Sequence, residues 1–254
     1  MTIGPSSGRF RSIAGLMTDM RRRLGALPAD DPARAFLSTY LRTTAAVAEA
    51  IDAGTFEDPV WVEEWDLAFA DLYLRALDAH LSGAGTPASP WLLAFDAAPR
   101  LTPLLNVLLG INAHINYDLP QALLAVISDT EVTDGDLLAR RRRDHERIDQ
   151  ILASRVAAED LEISARSVRS LLDRALRPIN RWAAKRFLKE ARAKVWSNTL
   201  QLSQARAAGA DVYESRLREL ELLAAARIAD LLAPGQVLLR LARVGFGVTL
   251  PLQR

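Results

Sequence analysis

Helical periodicity, helix-type start and stop signals and one strongly apolar stretch near mid-chain together predict an all-α fold. The expected form is a single-domain bundle of about nine helices around a central apolar helix with internal polar residues. Apolar residues recur at three- and four-residue steps, and no segment shows the sustained alternation of a half-buried strand. Capping side chains stand before prolines at Asp31-Pro32, Asp58-Pro59 and Thr102-Pro103, Ser89 and Pro90 open a short helix, and Gly54 and Gly209 suit helix ends. The stretch from Leu101 to Ser128 is the most apolar in the chain, which places it at the bundle centre.

In order, residues 1–8 are rich in Gly, Ser and Pro and are expected to be loose, leaving 9–254 as one helical domain. A first helix is predicted over about Arg9 to Ala26, with Arg21 to Arg23 on a solvated face, and a second over about Pro32 to Ala53. The third, about Pro59 to Ser82, carries Trp61, Trp65, Phe69 and Tyr73 at four-residue steps, a stripe expected in the core that could also line a pocket. A short helix holding Trp91 and Phe95 follows. The central helix starts at Thr102 and Pro103, and Pro120, which lacks an N–H and crowds the carbonyl of residue 116, predicts a kink or break at Asn116 to Leu119. After it come a short piece ending near Ser128, a polar loop, and a helix over about Asp134 to Ala157. A helix over about Ala158 to Leu176 is expected to end at Pro178, and a long one over about Ile179 to Ala208 to stop at Gly209. Asp211 with Glu214 reads as a capping box for a helix reaching about Leu232, and Gln236 to Val244 reads as a short amphipathic tail.

Composition excludes several functions. With no cysteine there are no disulfides, thiolate metal sites or cysteine nucleophiles. Residues 1–130 hold 9 basic and 15 acidic groups and the remainder 23 and 16, with both signs interleaved, so the halves attract each other and no nucleic-acid partner is expected. No signal peptide and no transmembrane span are read, which makes a cytoplasmic location the expectation. Glycine-rich phosphate loops, dinucleotide fingerprints and serine elbows are missing, and no cofactor is expected.

Polar residues within the most apolar helix are where chemistry is expected, because buried polar groups must find partners. His114 and Asp118 are four apart and share one face, while Asn112 and Asn116 share roughly the opposite one. On the helix beginning near Asp134, Arg141, Asp144 and His145 fall inside the apolar stripe, and Asp149 follows His145 by four; the rest of that arginine-rich run, including Arg140 and Arg143, is read as solvated. Antiparallel packing of the two helices would bring His114 and Asp118 to Arg141, Asp144 and His145 across one pocket. Arg192, set among aromatic and apolar residues, would be the counter-charge for a carboxylate or an anionic substrate.

Three readings stay open: a closed network that only fixes packing, an acid–base site, and a nitrogen and oxygen ligand set for a metal. The paired Glu-x-x-His of di-iron bundles is absent. The segment GINAHINYDLPQAL, Gly110 to Leu123, resembles the G-x-N-A-H-I-N-x-D-L-P signature of an uncharacterised all-helical bacterial family common in actinobacteria. That resemblance extends over most of the chain, implies the same helical fold, and favours His114, Asn116, Asp118 and Asp144 as a set. Locally, H-x3-D-L is similar to helical zinc-dependent phospholipase C and nuclease-type enzymes, but three histidines, His80, His114 and His145, are too few for their trinuclear site. The function expected is an enzyme acting on an apolar small molecule of the secondary-metabolite type by proton transfer, in a reaction of the isomerase or cyclase type. His114, Asp118 and Asp144 would be catalytic, Trp65, Tyr73, Asn116 and Arg192 would hold substrate, and no metal is assigned. The alternatives are a hydrophobic-ligand binding protein and a metal-dependent hydrolase.

Overall fold

A computed structural model describes residues 9–148, 151, 171–234 and 245–252, with the backbone alone described over 171–189. The helices are α1 (Ile13–Ala26), α2 (Ala33–Asp52), α3 (Pro59–Ser82), α4 (Ser89–Ala97), α5 (Pro103–Ala113), α6 (Leu119–Val126), α7 (Asp129–Thr133), α8 (135–148), α9 (Leu171–Ala208) and α10 (Ala210–Leu232). A 3₁₀ turn, Ala98–Arg100, precedes α5, and a π-helical turn, His114–Asp118, joins α5 to α6. Counting α5, the π turn and α6 as the one rod they form, nine helices and no strands are present among the described residues. The rod is central: its first half packs on α2, α4 and α10, and its second on α3 and α9.

The helix starts follow their caps. Asp58 accepts the Trp61 N–H with Pro59 at the first helical position, and Thr102 does the same for Leu105 ahead of Pro103. Ser12 caps the first helix through Gly15, so α1 begins later than Arg9. Asp31 takes the Ala33 N–H at the start of α2, and Gly83, at φ 66°, closes α3 in a left-handed conformation open to glycine.

Six local expectations are corrected. Pro120 produces no break: the chain widens by one residue into the π turn, in which Leu119 N–H reaches the His114 carbonyl, and the helix continues. The polar loop after the rod contains α7, closed by a capping box between Ser128 and Glu131. Helix α9 runs through Pro178. Proline removes one helical hydrogen bond, but the strong helix formers on both sides keep the backbone helical. The Asp211–Glu214 box does not form, because α10 starts two residues earlier, at Ala210 with Gly209 at the cap position. Arg23 is not on a solvated face; it is buried between Asp19 and Asp78, an ion pair tying α1 to α3. Arg140 is likewise only partly exposed and donates to the Glu57 carbonyl, whereas Arg143 is exposed as expected and pairs with the Glu57 carboxylate through two 2.9 Å bonds. The predicted helix over Ala158 to Leu176 lies mostly outside the described residues, as do Asp149, the tail Gln236 to Val244 and residues 1–8.

One segment was not anticipated. Residues 245–252 run extended against the rod and α9, with Phe246, Val248 and Leu250 buried and Thr249 outward. Phe246 joins the main core, whereas Val248 and Leu250 join a smaller cluster with Leu124, Leu202 and Leu220.

Candidate functional site

The π turn places His114 and Asp118 on the inward side of the rod, facing α2, α3 and α4. His114 Nδ1 lies 2.8 Å from Asp118 Oδ2, and the same oxygen accepts the Trp91 indole N–H at 2.8 Å. With Asp118 ionised, two short contacts on one oxygen are the geometry of a carboxylate accepting twice, and the tautomer that fits carries the His114 proton on Nδ1 and leaves the lone pair on Nε2. Nε2 is buried and has no hydrogen-bond partner among the described residues.

Aromatic rings enclose the imidazole. Phe69 stacks on its face at 3.5 Å between centroids and 5° between planes, and Tyr40 meets it edge-on at 4.7 Å. Phe36, Tyr73 and Trp91 complete the box at 5.9 Å each. Phe36 can close on the rod only because residue 110 is glycine: a Cβ there would lie 2.4 Å from its ring. The hydroxyls of Tyr40 and Tyr73 and Asp66 Oδ2 are also buried without partners among the described residues.

Burial sets the protonation of this region. It holds the His114 imidazole below its ordinary range against the pull of Asp118, and so keeps the ring neutral at pH 7. It raises the Asp118 carboxyl, with His114 and Trp91 opposing. Asp66 is lifted to about 7 by burial and then by Glu63. The Tyr40 phenol is pushed well above its usual value by burial and by the carboxylates of Asp66 and Asp118, so it stays a neutral donor.

Next to the box, Pro32, Ala33, Phe36, Tyr73, Trp91, Ala94, Phe95, Ala98, Asn106 and Gly110 line a cleft of about 20 Å³, room for about one water. Asn106 donates to the Ala98 carbonyl, and its own Oδ1 is buried without a partner among the described residues.

The residues expected to share one pocket divide among four places. Tyr73 joins His114 and Asp118. Trp65 and Arg192 belong to a second cluster one turn along α3, where His145 lies 5.5 Å from both Trp65 and Trp196. There Arg192 sits over Trp65 at 5.6 Å and donates to the His145 carbonyl at 2.5 Å. Burial and the nearby Arg192 and Arg142 charges hold the His145 imidazole well below its ordinary range. Asp144 is fully buried and occupied: it accepts Glu57 N–H at 2.9 Å, Asp58 N–H at 2.8 Å and Arg147 at 2.5 Å. That position, at the start of α3, is eleven residues or about 16 Å along the helix from Phe69, so Asp144 does not meet His114. Arg141 belongs there too, bridging Asp58 and Glu131 over the Trp61 ring. Asn116 turns to the opposite side of the rod and spends its amide on the main chain of Phe246 and Val248.

Sequence reasoning missed Phe36, Tyr40, Trp91 and Asp66 as site residues. Trp91 carried a signal, since a buried indole N–H needs an acceptor, and Asp66 another, as a carboxylate beside the aromatic stripe.

Fold and site define an all-α bundle whose central helix carries a buried imidazole–carboxylate pair inside a ring of aromatic side chains. The chain belongs to the family of unknown function DUF5995, which matches residues 13–234 and so includes every residue of the pair and its ring. No curated protein and no solved structure matches it. Among the described residues, no helix is long and apolar enough to cross a membrane.

Proposed function

We propose that the protein is an enzyme that moves a proton on an apolar small molecule held in the aromatic box, in a reaction of the isomerase or cyclase type. The observation that carries this reading is the His114 Nε2, buried with no partner among the described residues while Nδ1 is fixed by Asp118 and Asp118 by Trp91. A histidine held in one tautomer by a carboxylate, with its second nitrogen open, is the arrangement of a general base. In this reading Nε2 removes the proton, Asp118 orients the ring and stabilises the imidazolium, and the Tyr40 and Tyr73 hydroxyls hydrogen-bond the oxygen on which charge develops. The cleft beside Phe36 and Trp91 gives access by widening, since it holds about one water as it stands. Trp65 and Arg192 would act from the neighbouring cluster, and Asn116 and Asp144 by holding the rod and the start of α3.

A second reading, a binding protein for an apolar molecule, is favoured by the unpartnered Asn106 Oδ1 at the cleft wall. Metal-dependent hydrolysis finds less support, because His114 and Asp118 spend their facing atoms on each other and among the described residues no three His, Asp or Glu side chains converge. The remaining parts of the reading are a bacterial, chiefly actinobacterial family marked by the Gly110 to Leu123 segment, a secondary-metabolite substrate and a cytoplasmic location.

Two measurements test the proposal. Nitrogen-15 spectroscopy of the histidine rings at pH 7 is expected to find His114 Nε2 bare and Nδ1 protonated; a proton on Nε2 would remove the base. Deuterium incorporation from heavy water into a panel of apolar enolisable ketones is expected to drop on the order of 100-fold or more in His114→Ala, with the helical circular dichroism unchanged. Saturable ketone binding without any exchange in the native protein would instead support the binding-protein reading.

A further inference from the structure

The extended segment 245–252 is held by its main chain as well as by its apolar side chains: polar side chains of the helices read its carbonyl and N–H groups. Asn116 donates to the Phe246 carbonyl at 3.1 Å and accepts the Val248 N–H at 3.1 Å. Asn198 on α9 repeats the device one step on, donating to the Val248 carbonyl at 3.0 Å and accepting the Leu250 N–H at 2.9 Å. Asn112 also donates to Phe246, Gln201 to Leu250, Lys194 to Gly247 and Arg216 to Pro251. The Asn116 and Asn198 amides thus each stand in for one residue of a neighbouring β-strand, offering a donor and an acceptor to alternate residues.

Side chains of the segment are sorted as on a strand. Phe246, Val248 and Leu250 enter apolar contacts, while Gly247 presses on α9 so closely that a Cβ would lie 2.7 Å from the Ala191 Cα. Main-chain hydrogen bonds with pockets for alternate side chains are the general mode by which extended peptides are bound. With the segment in place Asn112, Asn116 and Asn198 are essentially buried, and its main chain pairs both the nitrogen and the oxygen of the Asn116 and Asn198 amides. The groove is thus lined to match an extended chain. Its reading residues all lie within 13–234, the region that matches the family, and the segment that fills it lies outside that region.

We propose that this groove is a binding site for an extended apolar peptide and that residues 245–252 are its resident, exchangeable ligand. The peptide it takes has apolar side chains at alternate positions and no side chain at the position against Ala191. Because recognition is of main chain and alternation, the groove accepts the same peptide supplied separately once its own segment has left. The proposal is independent of any chemistry at His114, which faces the other side of the rod.

The test uses the full chain carrying Gly247→Val, whose side chain meets the α9 backbone and expels the segment. Loss of hydrogen-exchange protection at the Val248 and Leu250 amides marks the expulsion. A fluorescently labelled synthetic peptide GFGVTLPL, followed by anisotropy, is expected to bind this variant at least tenfold more tightly than the native chain, whose groove is filled in cis. The peptide GFVVTLPL is expected not to bind. Failure of GFGVTLPL to bind a folded variant with an emptied groove overturns the proposal. Should the variant not fold, exchange in the native chain decides: Val248 and Leu250 amides exchanging at least tenfold faster than those of the α5 and α9 core support an exchangeable ligand, and exchange only with the whole bundle overturns it.

Discussion

Gly110 shows how one residue sets the site. With a hydrogen in place of Cβ, the Phe36 ring lies directly on the rod and closes the box around His114. Gly110→Ala gains helix propensity but overpacks this contact, and its expected net effect is a loss of about 1–3 kcal/mol in denaturant unfolding. Adding Phe36→Leu should recover part of the loss, so that the pair is clearly less than additive. Asp144 makes the opposite case, a buried carboxylate whose oxygens are taken by the Glu57 and Asp58 N–H groups and Arg147. Asp144→Ala is expected to cost about 3–5 kcal/mol, Asp144→Asn less because one acceptor survives, and neither to alter the His114 tautomer seen by nitrogen-15 spectroscopy. The i,i+4 pairing of His114 with Asp118 was legible in the sequence because both partners lie on one helix face. The third member, Trp91, was not, since nothing local says which acceptor a distant indole will find.

Among the elements, those whose boundaries are written in short-range chemistry were legible. Helix α3 begins and ends where Asp58, Pro59 and Gly83 place it, and of its stripe Trp61, Trp65 and Tyr73 are buried and Phe69 partly so. The stripe also does more than fill space: Trp61 meets Arg141, Trp65 meets His145 and Arg192, and Phe69 meets His114, so successive turns each place an aromatic face beside a cationic or imidazole group. Both prolines misled in the same direction, because their cost depends on what the surrounding helix can absorb. The rod takes up Pro120 by widening one turn, and α9 takes up Pro178 without stopping. The segment 245–252 had a signal in its alternation of Phe246, Val248 and Leu250. It is too short to stand out, and its partners are asparagines on helices rather than another strand.

For the molecule as a whole, buried ionisable groups make stability depend on pH in two opposed ways. The His145 imidazole titrates well below its ordinary 6.5 when folded, so the unfolded chain binds the extra proton first. The stability this gives is complete above about pH 6.5 and is lost as the pH falls below it, by about 1.4 kcal/mol per pH unit for one proton. Asp66, lifted from 3.8 to about 7, has the reverse sign: its contribution is complete below 3.8 and is lost as the pH rises towards 7. Urea unfolding across pH 4 to 8 is therefore expected to show a shallower acid-side slope in His145→Gln and a flatter approach to neutrality in Asp66→Asn. Unchanged slopes in both would mean that these groups titrate normally in the folded protein.

The asparagine-lined groove also bears on the order of folding. Asn116 and Asn198 belong to helices distant in the chain, and neither alone can hold a strand, so no binding surface exists until the rod and α9 lie side by side. The α9–α10 hairpin, joined through the single residue Gly209, is local and forms without a long loop closure. Docking of residues 245–252 must instead wait for long-range topology to be complete, which makes it a late kinetic event and its Val248 and Leu250 amides natural timers of when assembly has finished.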